Sequence, residues 1–232
     1  MSKLGLHMNR YVCCMWAYFL LLLSMGLLYA QNPKKTWFAP RAGMNWGQYR
    51  TKSSDDIVSR SYWGGGFYGG LSVQQQLDAK GWWAIQGDLG VTQRRSTDRN
   101  LLYDYRYNIW STDVAVLGVW RWVRKFEALF IEAGPSSSFL LYGKYWEKDN
   151  LSGEVETRKV QFGRGREVRR GEIAINLGMG AGYLAGPGYL TFGMRFWHGI
   201  NNLGSQRSLF QRWHNYGVLM SLSYWYDDSL RD

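Results

Sequence analysis

A chain of 232 residues with 28 Lys and Arg against 18 Asp and Glu, a formal charge of +10, is long enough for one domain or two small ones. Aromatic residues make up 17% of it and there are 28 glycines against four prolines, a balance that fits a β-barrel better than a soluble α/β enzyme. Both cysteines, Cys13 and Cys14, fall in the first thirty residues, so beyond that segment disulfides, thiol nucleophiles and cysteine metal sites are excluded.

The chain opens on an export signal. Lys3 and Arg10 form a basic start, Val12 to Leu28 is mostly apolar, and Ala30 precedes Gln31, which predicts a signal peptide over residues 1–30. Leu28 is bulky for its place two before the cut, and the apolar stretch is nearly long enough for the alternative, a retained transmembrane anchor. Cys13 and Cys14 come too early for a lipoprotein cleavage site. Cleavage removes Lys3 and Arg10 but no acid, which lowers the formal charge from +10 to +8. For an exported chain, nucleic acid is not the expected partner of that charge; an anionic membrane surface is.

Residues 31–37 read as a short periplasmic segment, and the barrel is expected over 38–226. Past the leader no stretch holds 18 consecutive apolar residues. What recurs is a run of about ten residues alternating apolar with small or polar, the mark of membrane strands. The first run, 38–49, sets Phe38, Pro40, Ala42, Met44 and Trp46 against Arg41, Gly43, Asn45 and Gly47. Run 66–77 sets Phe67, Gly69, Leu71 and Val73 against Tyr68, Gly70, Ser72 and Gln74. Run 82–93 sets Trp83, Ile85, Leu89 and Val91 against Gln86, Asp88, Gly90 and Thr92. Run 110–122 is apolar on both faces and its orientation stays open. Run 126–142 sets Leu129, Ile131 and Ala133 against Phe130, Glu132 and Gly134. Run 172–184 carries Gly178, Gly180 and Gly182 on one face and Leu177, Met179, Ala181 and Tyr183 on the other. Period two is a strand pattern, and Tyr183 stands where a dinucleotide loop needs its last glycine, so a strand rather than a nucleotide site is expected there. Run 189–198 sets Leu190, Phe192, Met194 and Phe196 against Thr191, Gly193 and Arg195. Run 216–226 sets Val218, Met220, Leu222 and Tyr224 against Leu219, Ser221 and Ser223.

The connections alternate long and short. DAKG (78–81), VRK (123–125) and AGPG (185–188) are short; 50–65, 94–109, 143–171 and 199–215 are long. Outer-membrane barrels have short periplasmic turns and long outer loops, and an even strand number places both termini in the periplasm. Aromatics gather at both strand ends: Trp37, Trp82, Trp120, Trp122, Phe126, Tyr189 and Tyr226 at the turns, and Tyr49, Tyr62, Trp110, Tyr142, Trp197 and Tyr216 at the loops. Such rings form girdles at the two interfaces. The pattern predicts an eight-stranded antiparallel up-and-down transmembrane β-barrel; a soluble lipocalin-type barrel is the alternative.

Several segments carry a family resemblance: RAGMNWG (41–47), GGGFYGGLSVQQQL (64–77), ALFIEAGPSSSFLL (128–141), NLGMGAGYLAGPGYLTFGMRFWHGINNL (176–203) and NYGVLMSLSYWY (215–226). They resemble the PorT-like outer-membrane barrels of Gram-negative bacteria. The resemblance implies an eight-stranded outer-membrane barrel and an accessory or structural part in type IX secretion, with other secretion-system membrane proteins as partners. Such barrels usually finish on an aromatic residue read by the insertion machinery; here Tyr226 is followed by a tail, DDSLRD (227–232), which departs from that signal.

Chemistry candidates are few. The stretch MRFWHGINN resembles that of lipid A deacylases, with Arg195 three before His198 and Asn201 three after it, but Ile200 occupies the place of the nucleophilic serine. No catalytic group, cofactor, metal or small-molecule substrate is therefore expected; His198 is read as a strand-end residue, and an adhesin or stress barrel is a further alternative. On the face assignment above, Arg41, Asp88, Glu132 and Arg195 point into the lumen, where buried charges must pair, so a salt-bridged plug is expected rather than a pore. Finally RKVQFGRGREVRR (158–170) places Arg158, Lys159, Arg164, Arg166, Arg169 and Arg170 in an outer loop. Guanidinium forks there suit lipopolysaccharide phosphates or an acidic partner, against the alternative of an ordinary solvated loop.

Overall fold

The structure, a computed structural model, describes residues 35–53, 60–124, 127–163, 168–204 and 210–226. The expected signal peptide (1–30) with Cys13 and Cys14, the tail 227–232, and Arg164 and Arg166 lie outside the described residues, as does Phe126. Every strand is antiparallel to its neighbours. In chain order they are β1 (Thr36–Ser53), β2 (Arg60–Gln76), β3 (Trp83–Arg99), β4 (Tyr103–Arg124), β5 (Glu127–Asp149), β6 (Val155–Lys159), β7 (Gly171–Leu184), β8 (Gly188–Gly199) and β9 (Phe210–Tyr226). β1 pairs with both β2 and β9, and β4 pairs with β5, so eight strands close into a ring; β6 sits outside it as an edge on β5. Closure leaves no open edge within the barrel wall, which is what a sheet in hydrocarbon requires.

The alternation read from the sequence holds through the wall. Phe38, Met44, Phe67, Leu71, Leu89, Met179, Phe192 and Leu222 stand exposed on the outside, while Arg41, Asn45, Ser72, Asp88, Glu132 and Arg195 are buried inside. β4, whose faces were ambiguous, turns out to place Ser111, Ala115, Leu117 and Val119 inward and Trp110, Trp120 and Trp122 outward. The tight ends are built as their sequences dictate. Asp78 accepts the Trp83 N–H at 2.8 Å, and Gly81 closes that turn at φ 74°, a conformation costly for any residue with a Cβ. Gly186 does the same at φ 61° between β7 and β8.

The long connections differ from expectation. Residues 94–99, 103–109 and 143–149 are strand rather than loop: β3, β4 and β5 run on past the wall, register unbroken from Trp83↔Trp120 to Arg99↔Asp104, with only 100–102 as the connection. β6 joins this extension through Lys144↔Lys159 to Lys148↔Val155. Likewise β1 and β2 shorten the expected 50–65 loop from both sides, and β9 starts at Phe210. The extension forms a ribbon standing beyond the barrel on the side opposite the tight turns. A bulge after Trp110↔Tyr142, where Leu140 next meets Ser111, marks its root and flips the inward parity of β5.

Candidate functional site

The lumen holds stacked tiers of side chains. The middle tier is a ring of four charges. Arg195 Nε donates to Glu132 at 2.6 Å and its Nη2 to Asp88 at 2.7 Å; Arg41 Nη1 donates to Asp88 at 3.0 Å and its Nη2 lies 3.6 Å from Glu132. All four side chains are at most 6% exposed. Two cations and two anions cancel, and further donors complete the shell: Gln86 Nε2 donates to Asp88 at 2.9 Å, and Arg41 Nε to Ser221 Oγ at 2.9 Å. Such a ring is tolerable in low dielectric only because every charge is paired. The glycines give it room. A Cβ on Gly178 would lie 2.8 Å from Glu132 Oε1, and one on Gly193 would lie 3.4 Å from Arg41 Nη2. The four lumen residues read from the sequence are thus brought together as a single network.

A second tier nearer the ribbon escaped the sequence reading. Arg94 bonds Glu172, meets Asp113 at 3.0 Å and donates to Ser138 Oγ at 2.9 Å. Thr92 donates to Asp113, and Asn215 donates to Glu172 at 3.2 Å. The Arg94 guanidinium also sits 5.6 Å from the ring centre of Trp197. Trp197, expected in the outer girdle, is instead a buried lumen residue, as are Tyr49 and Trp37. The reason for Trp197 is a slot left by Gly47, where a Cβ would come within 3.2 Å of the indole. Between the two tiers remains a cavity of about 50 Å³, lined by Asp88, Arg94, Asp113 and Arg195 among others; that is room for a few waters at most.

Among the described residues, side chains also cross both ends of the lumen. At the turn end Arg121 bonds Gln74 and lies 3.9 Å from the Trp37 ring centre, beside Tyr189. At the ribbon end an apolar cap gathers Tyr49, Tyr107, Ile109, Leu140, Val160, Val168 and Leu203, several with no exposure. The segments carrying Val168 and Leu203 are tied across the mouth by Arg169 N–H to Leu203 O at 2.8 Å.

The basic segment is scattered rather than gathered. Arg158 is held by Glu156 at 2.5 Å and lies 3.9 Å from Glu147, so it spends its charge within the ribbon. Lys159 points to the opposite ribbon face, Arg169 is exposed, and Arg170 lies 5.8 Å from the Phe139 ring centre. No common anion grip forms among the described members of that segment. His198 faces outward next to Tyr216, with ring centres 6.4 Å apart, and Ile200 is exposed.

Residues 29–204 match the family model described as outer membrane protein beta-barrel domain. No curated protein sequence matches the chain. Among solved structures the chain is similar to Ail, the attachment invasion locus protein of Yersinia pestis, at 13% identity and TM-score 0.42, over 83% of this chain and 99% of that one. It is also similar to neisserial surface protein A (NspA), at 11% identity and TM-score 0.42, over 81% and 96%. A third is OprG from Pseudomonas aeruginosa, at 11% identity and TM-score 0.41, over 85% and 99%.

Proposed function

Because the chain belongs to the outer membrane protein β-barrel domain family and resides in the outer membrane, we propose that it is a closed, non-enzymatic barrel that serves protein export as an accessory or structural component. The observation that carries this reading is the filled lumen. Among the described residues, a neutral ion ring, a second polar tier and an apolar cap fill the lumen, and the cavity between the two tiers, about 50 Å³, is too small for a solute path or a reaction chamber. With the interior occupied, the surfaces left to act are the ribbon and the periplasmic turns. The outward His198 and the Ile200 that replaces a nucleophile support a role without catalysis. The export part rests on the resemblance of segments 41–47, 64–77, 128–141, 176–203 and 215–226 to the PorT-like barrels, with secretion-system membrane proteins as partners.

Deleting the gene and following secreted proteases tests this. The expected result is their accumulation in the periplasm; normal secretion with lost surface attachment would replace export by adhesion. The ribbon favours that second reading to the extent that it offers a rigid surface beyond the barrel wall.

A further inference from the structure

The ribbon has two faces of opposite character, and the outward one is basic. Directly paired residues on neighbouring strands share a face, so the registers lay this face out in rows. The row nearest the wall runs Gly64, Arg95, Asn108, Lys144, Lys159 across β2 to β6. The next runs Tyr62, Thr97, Arg106, Trp146, Thr157, and the outermost Arg60, Arg99, Asp104, Lys148, Val155. Fifteen positions thus hold seven cations, all exposed, and one carboxylate, Asp104, which sits 3.5 Å from Arg99. Among the described residues, no other cation of this face has a carboxylate within 4.0 Å. The inward face is different: it carries Tyr105, Tyr107 and Tyr145 together with Glu147, Glu156 and Arg158.

The position of this face defines what it meets. One row below it, toward the wall, lie Trp110 and Tyr142, exposed outward at 37% and 42% where the outer girdle was expected. Rows are two residues apart, about 7 Å, so the cations begin just above the girdle and span about 14 Å upward and about 19 Å across. Aromatic rings mark the depth of the headgroups. Lys144 reaches back to within 5.8 Å of the Tyr142 ring, which ties the lowest row of charges to that belt, and Arg99 lies 5.2 Å from the ring of Tyr62 in the middle row of the face itself. β7 and β8 end at Gly171 and Gly199 and bear no such extension, so the fifteen-position face belongs to the β2–β6 side of the barrel.

We infer that the outward face of the β2–β6 ribbon binds the phosphates of lipopolysaccharide in the surrounding outer leaflet, holding this lipid laterally on one side of the barrel. Charge complementarity, the outward direction and the height above the aromatic belt select a phosphorylated lipid of the same membrane. Arg forks can take phosphate oxygens in pairs, with the lysines as point charges between them. The site is distinct from the 158–170 segment and shares only Lys159 with it. It depends on the outer-membrane location and is independent of the export reading.

The test uses the full-length folded protein in a non-ionic detergent, titrated with bisphosphorylated lipid A or its dephosphorylated form, with retained lipid counted by native mass spectrometry. Each basic side chain near an anionic surface is worth about fivefold in affinity. The triple variant Arg106→Gln, Lys144→Gln, Lys148→Gln should therefore weaken retention of the bisphosphorylated lipid at least about tenfold. A control, Arg158→Gln with Arg169→Gln and Arg170→Gln, should stay within about twofold of wild type. Every substituted side chain is exposed or paired only within the ribbon, and heat-modifiable gel mobility checks that each variant is folded. Equal retention of the two lipids, no retention of either, or loss in the control instead of the face variant overturns the inference.

Discussion

Replacing Arg195 by Met keeps the stem of the side chain but deletes its charge from the lumen ring. The change removes two charge-assisted hydrogen bonds, to Glu132 at 2.6 Å and to Asp88 at 2.7 Å. Bonds of that kind contribute about 1.5–3 kcal/mol each. It also leaves two carboxylates sharing Arg41 alone, and breaking a buried pair on one side costs about 3–5 kcal/mol. A loss of about 4 kcal/mol is expected in urea unfolding of the barrel in lipid vesicles, read by tryptophan fluorescence. Glu132→Gln alone leaves two cations on one acid and is expected to cost about 2–3 kcal/mol. Combined, the two changes restore neutrality as an Arg41–Asp88 pair, so the double variant should be more stable than the sum of singles by about 2 kcal/mol. A single-variant cost below about 1 kcal/mol, or additivity within about 0.5 kcal/mol, would refute the claim that the ring is one coupled unit.

Other outcomes follow from single contacts. Gly178→Val would drive a Cβ to 2.8 Å from Glu132 Oε1 and is expected to cost about 1–3 kcal/mol, whereas Gly69→Val, with open space around its Cβ, should change stability by less than about 0.5 kcal/mol in the same unfolding assay. Leu203→Asp places a carboxylate in the apolar cap, where Leu203 is 1% exposed; a loss of about 2 kcal/mol or more is expected, together with faster cleavage of the 160–170 segment by external protease. The Trp83 N–H holds the Asp78 carboxyl below the usual range. A depressed carboxylate stabilises above its unfolded pKa, near about 4, and loses that contribution as pH falls through the folded value. Amide-exchange protection at Trp83 should therefore drop below about pH 4, and Asp78→Asn should flatten the profile; an identical acid limb in the variant would count against the turn geometry.

The wall was legible because one chemical contrast, apolar against small or polar, runs through it with period two. That contrast placed Arg41, Asp88, Glu132 and Arg195 inside from four separate strands, and they meet in one network. It fades where strands leave the bilayer. From Arg94 to Arg99 both faces of β3 are polar, Arg95 and Arg99 outward and Ser96 and Asp98 inward, so the strand looked finished at residue 93. The Arg94–Asp113–Glu172 tier was hidden for the same reason: Arg94 fell just past one expected end, Asp113 in the stretch with two apolar faces, and Glu172 at the first residue of the expected run 172–184. The bulge at the root of the ribbon also breaks the period, which alternation alone does not report. Trp197 misled because an aromatic at a strand end suits a girdle and a lumen equally; only the facing Gly47 and Gly217 decide for the lumen, and they lie on other strands.

Single-channel recording in planar lipid bilayers tests most directly whether the interior is closed. The wild-type protein, inserted and shown by gel mobility to be folded, is expected to leave the membrane at its leak current at all applied voltages. Stable, resolved conductance steps from the unmodified chain would mean that ions pass the Arg41–Asp88–Arg195–Glu132 ring and the apolar cap, and the closed-barrel account would fall.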